Sequence, residues 1–128
     1  VKRRQVILCA GHHPERRGCY DERNGWEHDI AVDIVDGATS ALEEMAGLYD
    51  VFVATPYPLR RKVAEVNAYY ANHAGNGERW LYVGVHVNSA LRKESARRRG
   101  VNGHEVYSAF RRGRSWRAAR AIEGALCD

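Results

Sequence analysis

The feature that most restricts the fold of this chain is an alternation of short β-branched runs with long stretches of helical periodicity. Residues 6–9 (Val-Ile-Leu-Cys) read as a short buried strand, 50–55 as the second strand and 81–87 as the central one because it is apolar on both faces. Between the first two runs, Ile30, Ile34, Ala38, Ala41 or Leu42, and Met45 recur at helical spacing, which predicts a helix over 27–46 stopped by Gly47. A second helix is predicted over 59–74, with Val63, Val66, Tyr69 or Tyr70, and His73 on one side and Gly75-Asn76-Gly77 ending it. Beyond these, 89–102 is polar and reads as a loop, 103–108 as a further strand, and 115–126 as a last helix. Within that loop the arginine-rich stretch 92–100 has almost no apolar residue to anchor it and is expected to be the least ordered internal segment. Such alternation requires an α/β architecture, a mainly parallel twisted sheet with helices on both faces. The 128 residues, without repeats or a linker, are expected to form a single domain over 1–128.

The chemistry-bearing residues stand at the ends of these elements. Gly11 lets the backbone turn after the first strand, and His12 and His13 follow at the carboxyl edge, where open α/β sheets keep their sites. His86 closes the run at 81–86, and Glu27 opens the first helix just after the turn signal Asn24-Gly25. Two imidazoles and a carboxylate are the protein ligands of many hydrolytic zinc sites, which leave a fourth position for water. Residues 14–23 are polar and rich in turn formers, and read as a loop across the entrance to such a site. Each residue also has a plainer reading. Glu27 suits the positive end of a helix dipole, His86 suits a satisfied rim position, and His73 suits a helix C-terminus.

Lysine and arginine total 20 against 16 acidic residues, a net charge of +4 that favours acidic partners. Arg97-Arg98-Arg99 and the arginine-rich 110–120 allow a nucleic-acid-binding domain. The aromatics, however, are not interleaved with these cations as stacking platforms, so no nucleic-acid partner is expected. Three cysteines are an odd number and argue against a closed disulfide framework. Cys9 reads as a small buried hydrophobe, with a Cys9-x-x-His12 metal pair as the rarer arrangement. No apolar run approaches the ~20 residues that span a bilayer, so no membrane insertion is expected. The basic segment 1–5 lacks an apolar h-region, so no signal peptide is visible.

Taken together, Val6-Ile7-Leu8 before Gly11-His12, Asn24-Gly25 before Glu27-His28-Asp29-Ile30, Val83 to Asn88, and Gly103 to Tyr107 resemble the zinc-dependent N-acetylmuramoyl-L-alanine amidases of cell-wall remodelling, sporulation and phage lysis. The resemblance runs from Val6 to about Ile122, in the same order of motifs. Leu59, Lys62, Val66 and Asn67 are similar to the family's Leu-x-x-Arg-x-x-x-Ala-Asn helix. The resemblance implies Zn²⁺ held by His12, Glu27 and His86, with Asn88 orienting a ligand or the substrate. It further implies peptidoglycan as the partner, action at the bacterial cell wall, and hydrolysis of the amide between muramic acid and L-alanine. In such chemistry zinc acidifies water and polarises the scissile carbonyl. A carboxylate carries the proton to the leaving amine. The chain departs from the family at Cys9-Ala10 (usually Asp-Pro) and at His13 (usually Gly). It also lacks the family's last strand, whose glutamate precedes Gly-Phe and serves as the base. The catalytic carboxylate is therefore unassigned, and this chain is expected to bind zinc yet hydrolyse slowly or not at all; Glu105 and Glu15 are the first residues to test if it proves active. A non-catalytic zinc-containing wall-binding module is the alternative.

Overall fold

The computed structural model describes residues 3–45, 47–75, 79–87 and 114–127. Two units are distinguished, 1–87 and 88–128. In chain order the first contains β1 (Arg4–Ala10), β2 (Tyr20–Asp21), β3 (Gly25–Trp26), α1 (Glu27–Glu44), β4 (Tyr49–Val53), α2 (Leu59–His73) and β5 (Trp80–Val85). The described part of the second is the helix α3 (Arg114–Cys127).

A parallel sheet of three strands, in the order β4-β1-β5, organises the first unit. Parallel neighbours need long crossovers, and α1 and α2 supply them. This is the α/β arrangement expected from the alternation of signals. Among the described strands the central place belongs to β1 and not to β5. β1 is hydrogen-bonded along both edges and buried from Gln5 to Ala10, whereas β5 is flanked by β1 and leaves Tyr82 55% exposed. Apolarity on both faces pointed to 81–87, and pairing along both edges instead puts β1 centrally among the described strands.

Val6, Leu8 and Ala10 project towards α1, where Ala31 and Val35 complete the core. Burying a side chain of valine size stabilises by ~1.5–3 kcal/mol, so this small cluster holds α1 to the sheet. Alternation sends Ile7 and Cys9 the other way. Phe52, in register with Ile7, stacks on Tyr69 of α2 with ring centroids 4.0 Å apart. Tyr69 and Tyr70 also meet Trp80 edge-on.

The inner stripe of α2 differs from the expected one. Val63 is 49% exposed, while Lys62 is buried and Glu65, Val66, Tyr69 and His73 are half-buried. Apolarity pointed to the wrong side of the first turn because Lys62 and Glu65 carry their polar heads inward to partners. Glu65 accepts hydrogen bonds from the Thr55 amide and hydroxyl at 2.9 and 2.5 Å, which fixes the β4–α2 connection.

The expected loop at 14–23 contains more order than its composition suggested. β2 and β3 pair antiparallel, Tyr20 with Trp26 and Asp21 with Gly25. Asp21 closes the turn by accepting from the Arg23 and Asn24 amides, both at 2.9 Å. Gly25 takes φ +87°, a left-handed conformation suited to glycine.

α3 agrees with the last predicted helix to within a residue at each end. The expected loop over 89–102 with its arginine-rich part 92–100, the strand over 103–108, and Asn88 and Glu105 lie outside the described residues. Among the described residues no helix is long and apolar enough to cross a membrane.

Candidate metal centre

β1 and β5 run parallel with Ala10 opposite Val85, so the residues that leave their carboxyl ends lie side by side. The Gly11 amide donates to the Val85 carbonyl at 2.7 Å, extending this pairing one step past β1. His12 follows that bond, His86 follows β5, and Glu27 is the first residue of α1. Ligand atoms of His12, Glu27 and His86 all lie within 4.8 Å of one another. His12 Nε2 is 3.0 Å from Glu27 Oε1, and the two imidazoles meet edge-on with centroids 5.8 Å apart. Glu27 is buried, His12 half-buried and His86 exposed, so the group is anchored within the fold at one end and open to solvent at the other.

Three successive backbone carbonyls hold the ligand turn in place. Lys62 Nζ donates to Ala10 O at 2.8 Å and to His12 O at 2.9 Å. Between them, Gly11 O lies 2.7 Å from His28 Nδ1, which therefore carries its proton there and donates. Both side chains are buried, and each comes from a different helix. The turn needs this support because His12 adopts φ +58°, a left-handed conformation that costs a non-glycine residue ~1–2 kcal/mol.

Glu27 is fixed from the 17–19 segment. Trp26 offers no side-chain cap to α1, and backbone carbonyls take the first amides instead. Glu27 N–H donates to Cys19 O and His28 N–H to Arg17 O, both at 2.9 Å. The Cys19 amide in turn donates to Glu27 Oε2 at 3.2 Å, leaving Oε1 facing His12. The carboxylate also sits in the first helical turn, where the dipole favours negative charge.

Two glycines keep the space clear. A Cβ on Gly11 would lie 2.5 Å from His86 Nδ1. One on Gly18, at φ +80°, would lie 2.5 Å from Glu27 Oε2 and 2.8 Å from His12 Nε2. The donor set, its convergence and this cleared cradle fit a metal ion: His12, Glu27 and His86 could hold one. Two nitrogens and an oxygen do not by themselves select zinc from other divalent transition metals.

Two clefts meet at His12. The larger, ~680 Å³, is lined by Pro14, Glu15, Arg16, Arg17, Gly18 and Trp26. The smaller, ~260 Å³, reaches between β1 and α2 and is bordered by Cys9, Lys62, Tyr82 and His86. Burial and a hydrogen bond with Cys9 push the Tyr82 hydroxyl well above the ordinary phenol range, so it stays protonated. Cys9 is buried, places its thiol 3.6 Å from Ala10 O and is not part of the ligand group. His13 lies in the turn next to His12 and also stands outside the group.

His28, Gly18 and the Cys19 backbone were not singled out in the sequence, and Lys62 was legible only as a position in a helix motif. The one available signal was a lysine on the inward stripe of α2, where a charge needs a partner. Compared with protein-family models, curated proteins and solved structures, the chain matches none of them.

Proposed function

We propose that the protein is a zinc-dependent amide hydrolase of the N-acetylmuramoyl-L-alanine amidase kind, acting on peptidoglycan at the bacterial cell wall. The observation that carries this reading is the convergence of His12, Glu27 and His86 at the carboxyl edge of the sheet. Those are the three positions that the motif resemblance assigns to the metal. The contacts of α1 with Val6, Leu8 and Ala10, and of α2 with Phe52 and Trp80, suit the sheet with helices on both faces that goes with it.

A zinc ion held there supplies Lewis-acid polarisation of a carbonyl and acidification of water. The remaining work belongs to the chain. Lys62 and His28 hold the His12 turn, and the Cys19 amide orients the Glu27 carboxylate. The larger cleft admits a peptide-sized ligand beside His12, since sites for such ligands commonly occupy ~300–1,000 Å³. Glu15 lines this cleft and is the described carboxylate best placed to move a proton between water and the leaving amine.

Elemental analysis of protein prepared without chelators should find close to one zinc per chain, and His12→Ala or His86→Ala should abolish tight binding. Because the imidazoles bind as neutral ligands, affinity should fall as the pH is lowered. Release of soluble fragments and new amino termini from purified peptidoglycan tests the reaction, and Glu15→Gln should reduce turnover while keeping zinc. Absence of zinc, or its full retention in His86→Ala, would show the centre to be wrongly assigned. Zinc without turnover would favour a non-catalytic wall-binding module.

A further inference from the structure

We propose that Arg16 is the carboxylate-recognising residue of this site, and that the ligand it selects is a short peptide carrying a free carboxylate. The inference rests on the amide-hydrolase reading and names the class of substrate.

Arg16 is four residues beyond His12 and is tied to it by a closed turn. Its amide donates to His13 O at 3.0 Å, and the His13 amide donates to Arg16 O at 3.3 Å. The guanidinium therefore projects from backbone whose position relative to the ligand turn is set. Arg16 borders both clefts, the larger one with Trp26 and the smaller one with His86. A group bound by Arg16 is thus next to His12 from either side.

What separates Arg16 from its neighbours is that they are engaged. Arg17 donates through Nε to Pro14 O at 3.1 Å, stands 3.8 Å from Asp29 and lies over the Trp26 ring. Lys62 is committed to two carbonyls. Both Glu27 oxygens are likewise occupied, one by His12 and the other by the Cys19 amide. Among the described residues the Arg16 side chain has no hydrogen-bond or ion-pair partner. Its planar fork offers two parallel N–H donors matched to the two oxygens of a carboxylate, a geometry an ammonium cannot reproduce. A neutral amide presents only one acceptor to the same fork, and no charge. Arg16 accordingly favours an acidic peptide over an amidated one.

The test compares N-acetyl-alanyl-glutamate with its diamide, titrated calorimetrically into the protein as isolated at low salt. Wild type should bind the acid at least about tenfold more tightly than the diamide, a margin that shrinks as salt screens the charge. Arg16→Gln should remove that preference by weakening the acid far more than the diamide, while Arg16→Lys should retain only part of it. Arg16 is exposed, and thermal unfolding of the variants confirms that the fold is kept. Equal affinity for the two peptides, no binding of the acid, or an acid preference that survives Arg16→Gln would each overturn the proposal. A preference that depends on Arg16 in a protein without zinc or turnover would support it while removing the hydrolase reading.

Discussion

Replacing Lys62 by methionine sets two physical effects against each other. Lys62 is 5% exposed, and its ammonium donates to Ala10 O and His12 O at 2.8 and 2.9 Å. Hydrogen bonds from a charged donor contribute ~1.5–3 kcal/mol each, so their gross loss is ~3–6 kcal/mol. Methionine refills most of the aliphatic volume and no longer holds a charge away from water, which offsets part of this. A net destabilisation of ~2–4 kcal/mol is expected, read as a lower urea midpoint at unchanged slope.

Metal affinity decides what the lysine does for the site. If its charge mattered most, removing a cation beside the ligand turn would tighten the binding of a second cation. If positioning matters most, releasing the carbonyl of His12, which sits at φ +58°, would misdirect the imidazole and weaken binding. Loss of a group that orients a ligand typically costs ~10–100-fold, and this is the expected outcome for Lys62→Met. Competition with a chromophoric chelator measures it, and the absorption of the cobalt-substituted protein reports the ligand geometry directly. Lys62→Arg, whose guanidinium can serve two carbonyls, should keep most of the affinity. Tighter zinc binding in Lys62→Met, or stability and affinity both unchanged, would refute the positioning role.

The glycines give a second set of expectations. Gly11→Ala should displace His86, and Gly18→Ala should crowd Glu27 and His12 while adding ~1–2 kcal/mol of backbone strain; zinc titration and urea unfolding measure the two losses. Away from the site, Gln5 and then Arg3 hold the Asp50 carboxyl below its usual range by hydrogen bonding. The folded value is the lower one, so this contribution is fully present above the unfolded value of ~3.9 and is lost as pH falls through the folded value. Asp50→Asn should therefore flatten the acid limb of stability against pH, by a small amount because the pair is partly exposed.

The three clustered residues were legible because each occupies a place that local pattern marks. His12 follows a strand and a glycine, His86 ends a strand, and Glu27 opens a helix after Asn24-Gly25. Their supports were hidden because their partners are backbone carbonyls, which every residue carries. Nothing in the spelling of Ala10-Gly11-His12 says that three carbonyls in succession receive Lys62, His28 and Lys62 again. The strand order was hidden for a related reason. Residues 6–9 and 81–87 have similar apolarity, and only edge-to-edge pairing places β1 in the middle. The β2–β3 hairpin was overlooked because two-residue strands are too short to show a period.

The charges of the site can be carried one step further. Among the described residues Glu27 is the one carboxylate in the group, so a divalent ion there would leave it with one net positive charge. Lys62 and Arg16 border the smaller cleft together with the ligands His12 and His86, and each adds another. A surplus of positive charge works against holding the metal, so a fold that accepts it must compensate by fixing the ligands geometrically. The clamp on three carbonyls, the reciprocal Glu27–Cys19 bonds and the two cleared glycine positions would supply that compensation. The same surplus favours an anion as the incoming ligand, since its charge is met by the metal and by Arg16 together. By linkage, an acidic peptide should then raise the affinity for zinc by the same factor that zinc raises the affinity for the peptide. A metal titration with and without N-acetyl-alanyl-glutamate should show the zinc curve moving to lower concentration in the presence of the acid and staying in place with the diamide. If the acid leaves that curve unmoved, the peptide carboxylate and the metal do not share one site.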